Sequence, residues 1–252
     1  MEKLIIGEHI MKSFGEGEEQ QIVLNRISIE IGEGEFISVM GPSGSGKSTL
    51  MHIISGLDRM DGGRVTFNNR SLVDMGENEL SDMRRREMGF VFQQPTMLHN
   101  LNILDNIILP SMRDNRKEVA NLVEKARYLM KKVGILELEK RSITEVSGGQ
   151  LQRAGICRSL MNRPKIVFGD EPTGALNSKS AEEIMDIFSE INKEGTAVMM
   201  VTHDAKVAAR TERVLFMRDG KVLDEIKLPK FDGKDIERRV EYVTEKMLEI
   251  GI

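Results

Sequence analysis

The chain has 252 residues, 40% hydrophobic and 30% charged, a composition typical of a globular protein that is long enough to bury a full core. The formal net charge of −4 disfavours a generally basic nucleic-acid binder, and the single cysteine, Cys157, excludes an internal disulfide. The four histidines form no sequence-local zinc motif, no apolar run reaches the length of a membrane span, and the amino terminus shows no signal-peptide pattern.

Short apolar runs that end at glycine or polar residues predict buried strands. They occupy residues 36–40, 89–92, 166–168 and 197–201. Apolar residues at helical spacing predict amphipathic helices between them, over 119–133 and 181–191. Alternation of strands and helices favours an α/β fold with a mostly parallel sheet.

Two stretches lack strand patterns. Residues 94–160 predict a helical insert, and five apolar residues spaced by three or four positions predict one terminal helix over about 233–250. We expect this helix to pack on its own core or on a partner chain. The basic triplet 84–86 is expected to form a solvated charged face.

A glycine-rich loop follows the first predicted strand and precedes a helix-like stretch. It reads Gly41, Pro42, Ser43, Gly44, Ser45, Gly46, Lys47, Ser48, which fits Gly-x4-Gly-Lys-Ser. Glycines let consecutive N–H groups converge on phosphate oxygens, and the helix amino terminus adds positive potential. We expect Lys47 to reach the β and γ phosphates, Ser48 to ligate Mg²⁺, and Thr49 to contact the α phosphate. A plain glycine-rich turn is the alternative.

Two adjacent acids end the strand predicted at 166–168. Asp170 is placed to hold Mg²⁺ opposite Ser48, and Glu171 is placed to polarise an attacking water. Both this strand end and the phosphate loop are expected at the carboxyl ends of adjacent strands, where α/β ligands bind. An ordinary solvated strand exit is the alternative.

A second candidate anion site precedes a helix-like run over 151–161. Ser147, Gly148, Gly149 and Gln150 present successive N–H groups at a helix amino terminus. The alternative is a helix N-cap, in which Ser147 caps and the glycines link. That alternative does not account for a second phosphate-type segment in one chain.

These motifs together resemble the ATP-binding subunits of ABC transporters over residues 1–228. Besides the phosphate loop (Walker A), the resemblance covers Gln93 (Q-loop), Ser147 to Gln150 (signature), Phe168 to Glu171 (Walker B), 175–177 (D-loop) and His203 (switch histidine). Val146 and Asn177 depart from the family's usual leucine and aspartate. The resemblance implies a P-loop NTPase (RecA-like) α/β core, an amino-terminal antiparallel β part, a helical subdomain over about 94–160, and a helical extension over 229–252.

The resemblance also implies roles. ATP and Mg²⁺ are the expected ligands, Gln93 joins Ser48 and Asp170 at the metal, and Glu171, His203 and Gln93 are the catalytic set. Two copies of the chain are expected to stack head to tail, so that each ATP lies between Lys47 of one copy and Ser147 and Gly149 of the other. An aromatic residue in the position of Phe14 stacks on adenine, with core packing as the alternative for Phe14.

The finer resemblance is to the macrolide-exporter and lipoprotein-release branch, through residues 88–94 and 104–110. Residues 170–179 look most like its antimicrobial-peptide (bacitracin-type) resistance subgroup. This implies a cytoplasmic subunit on the inner face of the membrane, bound to a separate FtsX-like permease and working by mechanotransmission. The alternatives are macrolide efflux, lipoprotein release, cell-wall hydrolase activation, or a nucleotide-dependent signalling module. No nucleic-acid partner is expected.

Overall fold

The computed structural model describes residues 2–114 and 118–252, apart from the side chain of Glu18. The strands are β1 (Lys3–Phe14), β2 (Gln21–Gly32), β3 (Phe36–Met40), β4 (Gly62–Phe67), β5 (Arg70–Ser71), β6 (Met88–Phe92), β7 (Ile166–Asp170), β8 (Ala197–Thr202), β9 (Arg213–Arg218) and β10 (Lys221–Lys227). The helices are α1 (Lys47–Ile54), α2 (Glu77–Glu87), α3 (Ile103–Met112), α4 (Val119–Lys132), α5 (Gly148–Leu160), α6 (Ser178–Lys193), α7 (Ala205–Ala208) and α8 (Ile236–Glu249).

Two sheets form the body of the molecule. The four-stranded sheet has the order β2-β1-β4-β5 and is antiparallel. The six-stranded sheet has the order β10-β9-β3-β8-β7-β6, and every pair is parallel except β10 with β9. Strands β3 and β8 lie at its centre and are buried along their whole length, which explains their continuous apolar sequence. The predicted α/β class with a mostly parallel sheet is confirmed.

The strand that precedes the phosphate loop and the strand that carries Asp170 are not adjacent. We expected them to be neighbours, and this prediction is wrong, because β8 lies between β3 and β7. Each pairs with β8 in parallel, for example Val39 with Val201 and Asp170 with Val201. Strand order in a sheet is set by crossover connections, which the local sequence pattern does not encode.

Helices replace strands between β6 and β7. Within residues 94–114 and 118–160 the structure has α3, α4, α5 and short helical turns, but no strand beyond one isolated bridge between Asn102 and Ser142. Residues 115–117 of the predicted insert lie outside the described residues. The three helices share an apolar core to which Ile107, Ala126 and Cys157 contribute, each of them fully buried.

The terminal helix α8 packs on its own chain, as one of our two alternatives predicted. Val243 is fully buried, and Ile236, Val240 and Met247 pack beside it on Phe216 of β9 and Ala208 of α7. Among the described residues, no helix combines the length and apolar character needed to span a bilayer.

The basic triplet is less exposed than predicted. The side chains of Arg84 and Arg85 are only 16% and 12% exposed, and they pair with Glu77 and Asp82 at 2.6 and 2.7 Å. Arg85 also pairs with Asp114. A solvated charged face is therefore wrong for these two residues, because Glu77 and Asp82 of the same helix and Asp114 from beyond α3 neutralise them. The pairing with Asp114, 29 residues from Arg85, cannot be predicted from a local charge run.

Candidate functional site

The phosphate loop connects the end of β3 to α1, where the sequence predicted it. Gly46 is the N-cap of α1 with a φ of 95°, a left-handed conformation that glycine adopts without strain. A methyl group on Gly46 would lie 2.7 Å from the carbonyl oxygen of Val23 in β2. Gly44 is also left-handed, with a φ of 80°. The glycines therefore allow a tight loop, of the kind in which successive N–H groups can converge on a phosphate.

Lys47 crosses this loop from the first turn of α1. Its Nζ donates to the carbonyl oxygens of Gly41 at 2.9 Å and Pro42 at 2.7 Å, and it lies 3.5 Å from Ser45 Oγ. Burial lowers the pKa of Lys47, an effect opposed by the charges of Glu171 and Asp170. The ammonium group therefore stands inside the loop, held by carbonyl oxygens that a phosphate oxygen can replace as its partner.

Ser48 and Asp170 are in direct contact across the sheet. Ser48 Oγ donates to Asp170 Oδ1 at 2.9 Å, although 122 residues separate them in the chain. Burial raises the pKa of Asp170, and the hydrogen bond from Ser48 opposes that rise. A hydroxyl and a carboxylate are hard oxygen ligands that suit Mg²⁺, which usually takes one or two protein ligands and completes its shell with water and substrate phosphate. The described residues hold no cluster of three or more His, Cys, Asp or Glu side chains that could hold a metal. Ser48 and Asp170 fit Mg²⁺ as two oxygen ligands of a shell that water and nucleotide phosphate would complete.

Glu171 follows Asp170 in a left-handed conformation, with a φ of 46°. This is an uncommon conformation for a non-glycine residue. Its N–H donates to the carbonyl oxygen of Val201 at 2.9 Å, and its Oε1 lies 3.1 Å from Nδ1 of His203. The sharp turn after β7 therefore directs the Glu171 carboxylate toward the residue that follows β8.

Gln93 lies at the same edge, just beyond β6. Its side chain is exposed, and a methyl group on Gly174 would lie 3.0 Å from Gln93 Nε2 and 3.4 Å from Glu171 Oε2. The N–H of Gly174 donates to the carbonyl oxygen of Glu171 at 2.9 Å, and this hydrogen bond closes a turn. Four parallel strands thus present Lys47, Asp170, Glu171, His203 and Gln93 at one edge, which is the usual ligand edge of an α/β sheet.

The Ser147 segment begins α5 and caps it. Ser147 Oγ accepts from the N–H of Gln150 at 3.3 Å, and Gln150 Oε1 accepts from the N–H of Ser147 at 2.8 Å. The helix-cap interpretation therefore describes the segment within one chain. Gly148 and Gly149 form the first turn, and the described hydrogen bonds and ion pairs link none of these four residues to the phosphate loop.

Phe14 ends β1 with its side chain 48% exposed, so the alternative that it fills the core is wrong. It pairs with Gln21, two residues before Val23, whose carbonyl oxygen lies against Gly46. The end of this hairpin therefore stands beside the phosphate loop, with an aromatic face open to solvent.

The remaining residues of the phosphate loop differ in their exposure to solvent. Ser45 is buried, Thr49 is half-buried, and Pro42 and Ser43 are exposed. The carbonyl oxygen of Ser45 accepts from the N–H of Gly220 at 3.2 Å, which ties the loop to the turn between β9 and β10.

Two residues near the site escaped the sequence analysis. Lys12 Nζ lies 5.0 Å from the centroid of the Phe14 ring, within the range of a cation–π contact. Gln152 is buried, and its Nε2 donates to the carbonyl oxygen of Phe92 at 3.0 Å, which joins α5 to the residue before Gln93. The alternation of Lys12 with Phe14 on β1 was an available signal. The signal for Gln152 was a polar residue on an apolar helix face.

A family model described as ABC transporter matches residues 24–174. The macrolide export ATP-binding/permease protein MacB of Bdellovibrio bacteriovorus is 42% identical over 219 residues, covering 87% of this chain and 33% of that protein. The chain therefore spans about a third of that relative's length. The uncharacterized ABC transporter ATP-binding protein YknY of Bacillus subtilis is 42% identical over 217 residues, with 85% of this chain and 93% of that protein covered.

A solved structure shares the fold closely. It is the dimeric post-hydrolysis state of the ATP-binding cassette MJ0796 bound to ADP and Pi, and the related sequence comes from Methanocaldococcus jannaschii. The TM-score is 0.81 at 37% identity, with 90% of this chain and 100% of that chain covered.

Proposed function

This chain belongs to the ABC transporter family as an ATP-binding cassette, and from that premise we propose that its ATPase activity drives a separate membrane permease. The observation that carries the proposal is the arrangement at the sheet edge. Ser48 and Asp170 are in contact at 2.9 Å. Glu171, directly after Asp170 at the end of β7, lies 3.1 Å from His203 at the end of β8. A hydroxyl, two carboxylates, an imidazole and the Lys47 ammonium are the groups that phosphoryl transfer to water needs.

Each of these residues has its own role in ATP hydrolysis. Lys47 and the N–H groups of the loop 41–49 bind the phosphates of ATP, and Glu171 polarises the water that attacks the γ phosphate, with ADP as the leaving group. His203 contacts the γ phosphate and is held by Glu171. Ser48, Asp170 and Gln93 are the residues that would hold Mg²⁺, which supplies charge neutralisation at the phosphate oxygens when bound. Phe14 stacks on the adenine.

The site is completed by a second copy of the chain. At this helix end Ser147 and Gly148 are exposed and Gly149 is half-buried, and none of them is bonded to the phosphate loop of its own chain among the described contacts. A helix amino terminus stabilises anions, so these residues supply the opposite wall for ATP bound to a partner copy. The dimeric state of the MJ0796 cassette supports this arrangement.

The proposed permease is a separate FtsX-like membrane protein, and the proposed role is resistance to antimicrobial peptides by mechanotransmission. The sequence over 170–179 supports this role. Macrolide efflux is the second candidate, because MacB, named for macrolide export, is 42% identical over 219 residues. The permease contains the part that meets the substrate, so the two roles share this ATPase and differ in its partner.

Co-purification from solubilised membranes tests the proposal. The chain is recovered with an affinity tag, its partners are identified by mass analysis, and ATP turnover of the complex is measured with a bacitracin-type peptide or a macrolide. A multi-span permease with a large extracellular domain and turnover stimulated by the peptide support the proposed role. Stimulation by the macrolide alone supports the second candidate. Recovery without any membrane partner overturns both.

A further inference from the structure

The helix α7 directly follows the switch histidine and has only four residues. A single turn is not stable by itself, so packing determines where it stands. Val207 packs into the core between the sheet and α6, whereas Ala208 and Ala209 face the cluster formed with α8. α7 is therefore held between the central sheet on one side and the terminal helix on the other.

Arg239 of α8 binds the segment that follows α7. Its Nε donates to the carbonyl oxygen of Ala209 at 2.5 Å, and its two terminal nitrogens donate to Thr211 at 2.9 Å and Pro229 at 2.8 Å. All three acceptors are backbone carbonyl oxygens. A planar guanidinium meets these three groups from three different nitrogens in a fixed geometry, whereas a lysine would have to meet them from a single nitrogen.

The aromatic ring of Phe231 strengthens the attachment of α8 to the end of α7. The centroid of Phe231 lies 5.3 Å from the guanidinium of Arg239 and 5.6 Å from that of Arg210. Arg210 follows Ala209 and pairs with Asp186 of α6 at 2.5 Å. The end of α7 is thus fixed to α8 by hydrogen bonds and by a ring within cation–π range of two guanidinium groups.

The other end of α7 begins at the catalytic edge. Asp204 is its N-cap, with Oδ1 accepting from the N–H of Lys206 at 2.8 Å, and the N–H of Asp204 donates to Thr202 Oγ1 at 3.0 Å. His203 stands between these anchors. Its side chain is 64% exposed, so little packing surrounds the ring, and the backbone on either side must set its position.

We propose that Arg239 is a positioning residue for His203. Through the carbonyl oxygens of Ala209 and Thr211 it fixes α7, and α7 fixes the backbone that places the His203 ring 3.1 Å from Glu171. The proposal rests on the proposed function, because the site that it serves is the ATP site described above.

The test compares Arg239→Met with Arg238→Met, its exposed neighbour on the same helix. Side-chain NMR spectra of the histidines are recorded for the full chain, with the His203 signal assigned through His203→Gln. The chain has four histidines, His9, His52, His99 and His203, so three of them are internal controls. We expect Arg239→Met to shift or broaden the His203 signal alone, and Arg238→Met to leave all four signals unchanged. A general loss of stability would disturb all four.

Turnover is measured on the same samples. In Arg239→Met we expect kcat to fall by about fivefold or more while KM for ATP stays within about twofold, because the phosphate loop is not touched. If Arg239→Met does not fold, Phe231→Leu removes the ring and keeps the three hydrogen bonds, and a smaller shift of the same signal is expected.

An unchanged His203 signal with unchanged kcat in a folded variant overturns the proposal. A different outcome is that Arg239→Met shifts the His203 signal but that even the wild-type protein does not hydrolyse ATP. This would overturn the proposed function and leave the positioning role of Arg239 intact.

Discussion

Nδ1 of His203 lies 3.1 Å from Oε1 of Glu171, and the two residues follow neighbouring parallel strands. Strand register makes this contact possible, because Asp170 pairs with Val201 and each side chain emerges at or just after the end of its strand. The left-handed backbone of Glu171 then turns its carboxylate toward His203. The contact joins the residue assigned to polarise water with the residue assigned to contact the γ phosphate.

Glu171→Gln tests that assignment. The amide keeps the size of the carboxylate and one acceptor oxygen but cannot accept a proton from water, so we expect turnover to fall about 10²- to 10⁴-fold. ATP affinity should stay within about twofold of wild type, since the phosphate loop is intact. Steady-state kinetics and equilibrium nucleotide binding measure the two effects. Glu190→Gln, an exposed acid of α6, is the matched control, and undiminished turnover in Glu171→Gln would contradict the assignment.

The contact between Ser48 and Asp170 leads to a test of the proposed Mg²⁺ site. Ser48→Ala removes one proposed oxygen ligand, so we expect Mg²⁺-dependent turnover to fall by at least about tenfold. Ser48→Thr restores a hydroxyl and should recover most of it. Titration of turnover with Mg²⁺ distinguishes a weakened metal site, which higher Mg²⁺ rescues, from a damaged loop, which it does not. Chelation with EDTA should abolish turnover in every variant, and turnover that persists in EDTA would refute the role of Mg²⁺.

Local sequence patterns predicted several strands and helices with small boundary errors. The strand over 36–40 and the helix over 119–132 depend on burial and periodicity that neighbouring residues determine. The position of β8 between β3 and β7 could not be predicted, because non-local crossovers set strand order. The antiparallel sheet was expected only from the family resemblance.

Residues of the site could be predicted where they belong to motifs that are continuous in the sequence. Asp170 and Ser48 were expected opposite each other and do lie in contact. The hydrogen bond from Gln152 to Phe92 was not foreseen, because it joins residues 60 positions apart through a buried amide. Such a contact requires the packed arrangement of α5 on β6, which no local pattern contains.

Phe14 offers a test of base stacking that is separate from stability. Phe14→Ala should weaken ATP binding by about 5- to 100-fold through lost stacking, and the free energy of unfolding should change by less than about 0.5 kcal/mol because the ring is exposed. Ile22→Ala is the control, since Ile22 is 58% exposed and pairs with Ser13, on the opposite face of the hairpin from Phe14. Equal ATP affinities in both variants would place the adenine elsewhere.

The buried thiol of Cys157 is expected to make folding stability depend on pH. Burial raises the pKa of its thiol to about 12. As the pH rises above the unfolded value of about 8.5, the unfolded chain releases this proton before the folded chain does, so folding stability decreases. Between about pH 8 and 10 the wild type should lose roughly 1–2 kcal/mol more than Cys157→Ala in urea unfolding. A thiol reagent at about pH 8 should not react with the native protein, and rapid native labelling would contradict the burial.

The helix end at Ser147 permits a test that separates capping from phosphate binding. Aspartate caps helices as well as serine does, so Ser147→Asp keeps the cap of α5, but its negative charge repels a phosphate across a dimer interface. We expect the variant to fold normally and to lose turnover by about 10²-fold or more. Full turnover would show that Ser147 only caps its helix.

Mixing inactive variants then determines whether the site lies between two copies. In a mixed dimer of Lys47→Ala and Ser147→Asp, both defects fall in one site and the other site is intact. Random pairing makes half of the dimers mixed, so an equal mixture should regain up to about a quarter of wild-type turnover. Lys47→Ala mixed with Glu171→Gln is the control, because Lys47 and Glu171 of one chain serve the same site and every site in that mixture has a defect. Recovery in the first mixture and not in the second is the expected result. Failure of the first mixture, or equal recovery in both, would rule out a site that joins Lys47 of one chain to Ser147 of another.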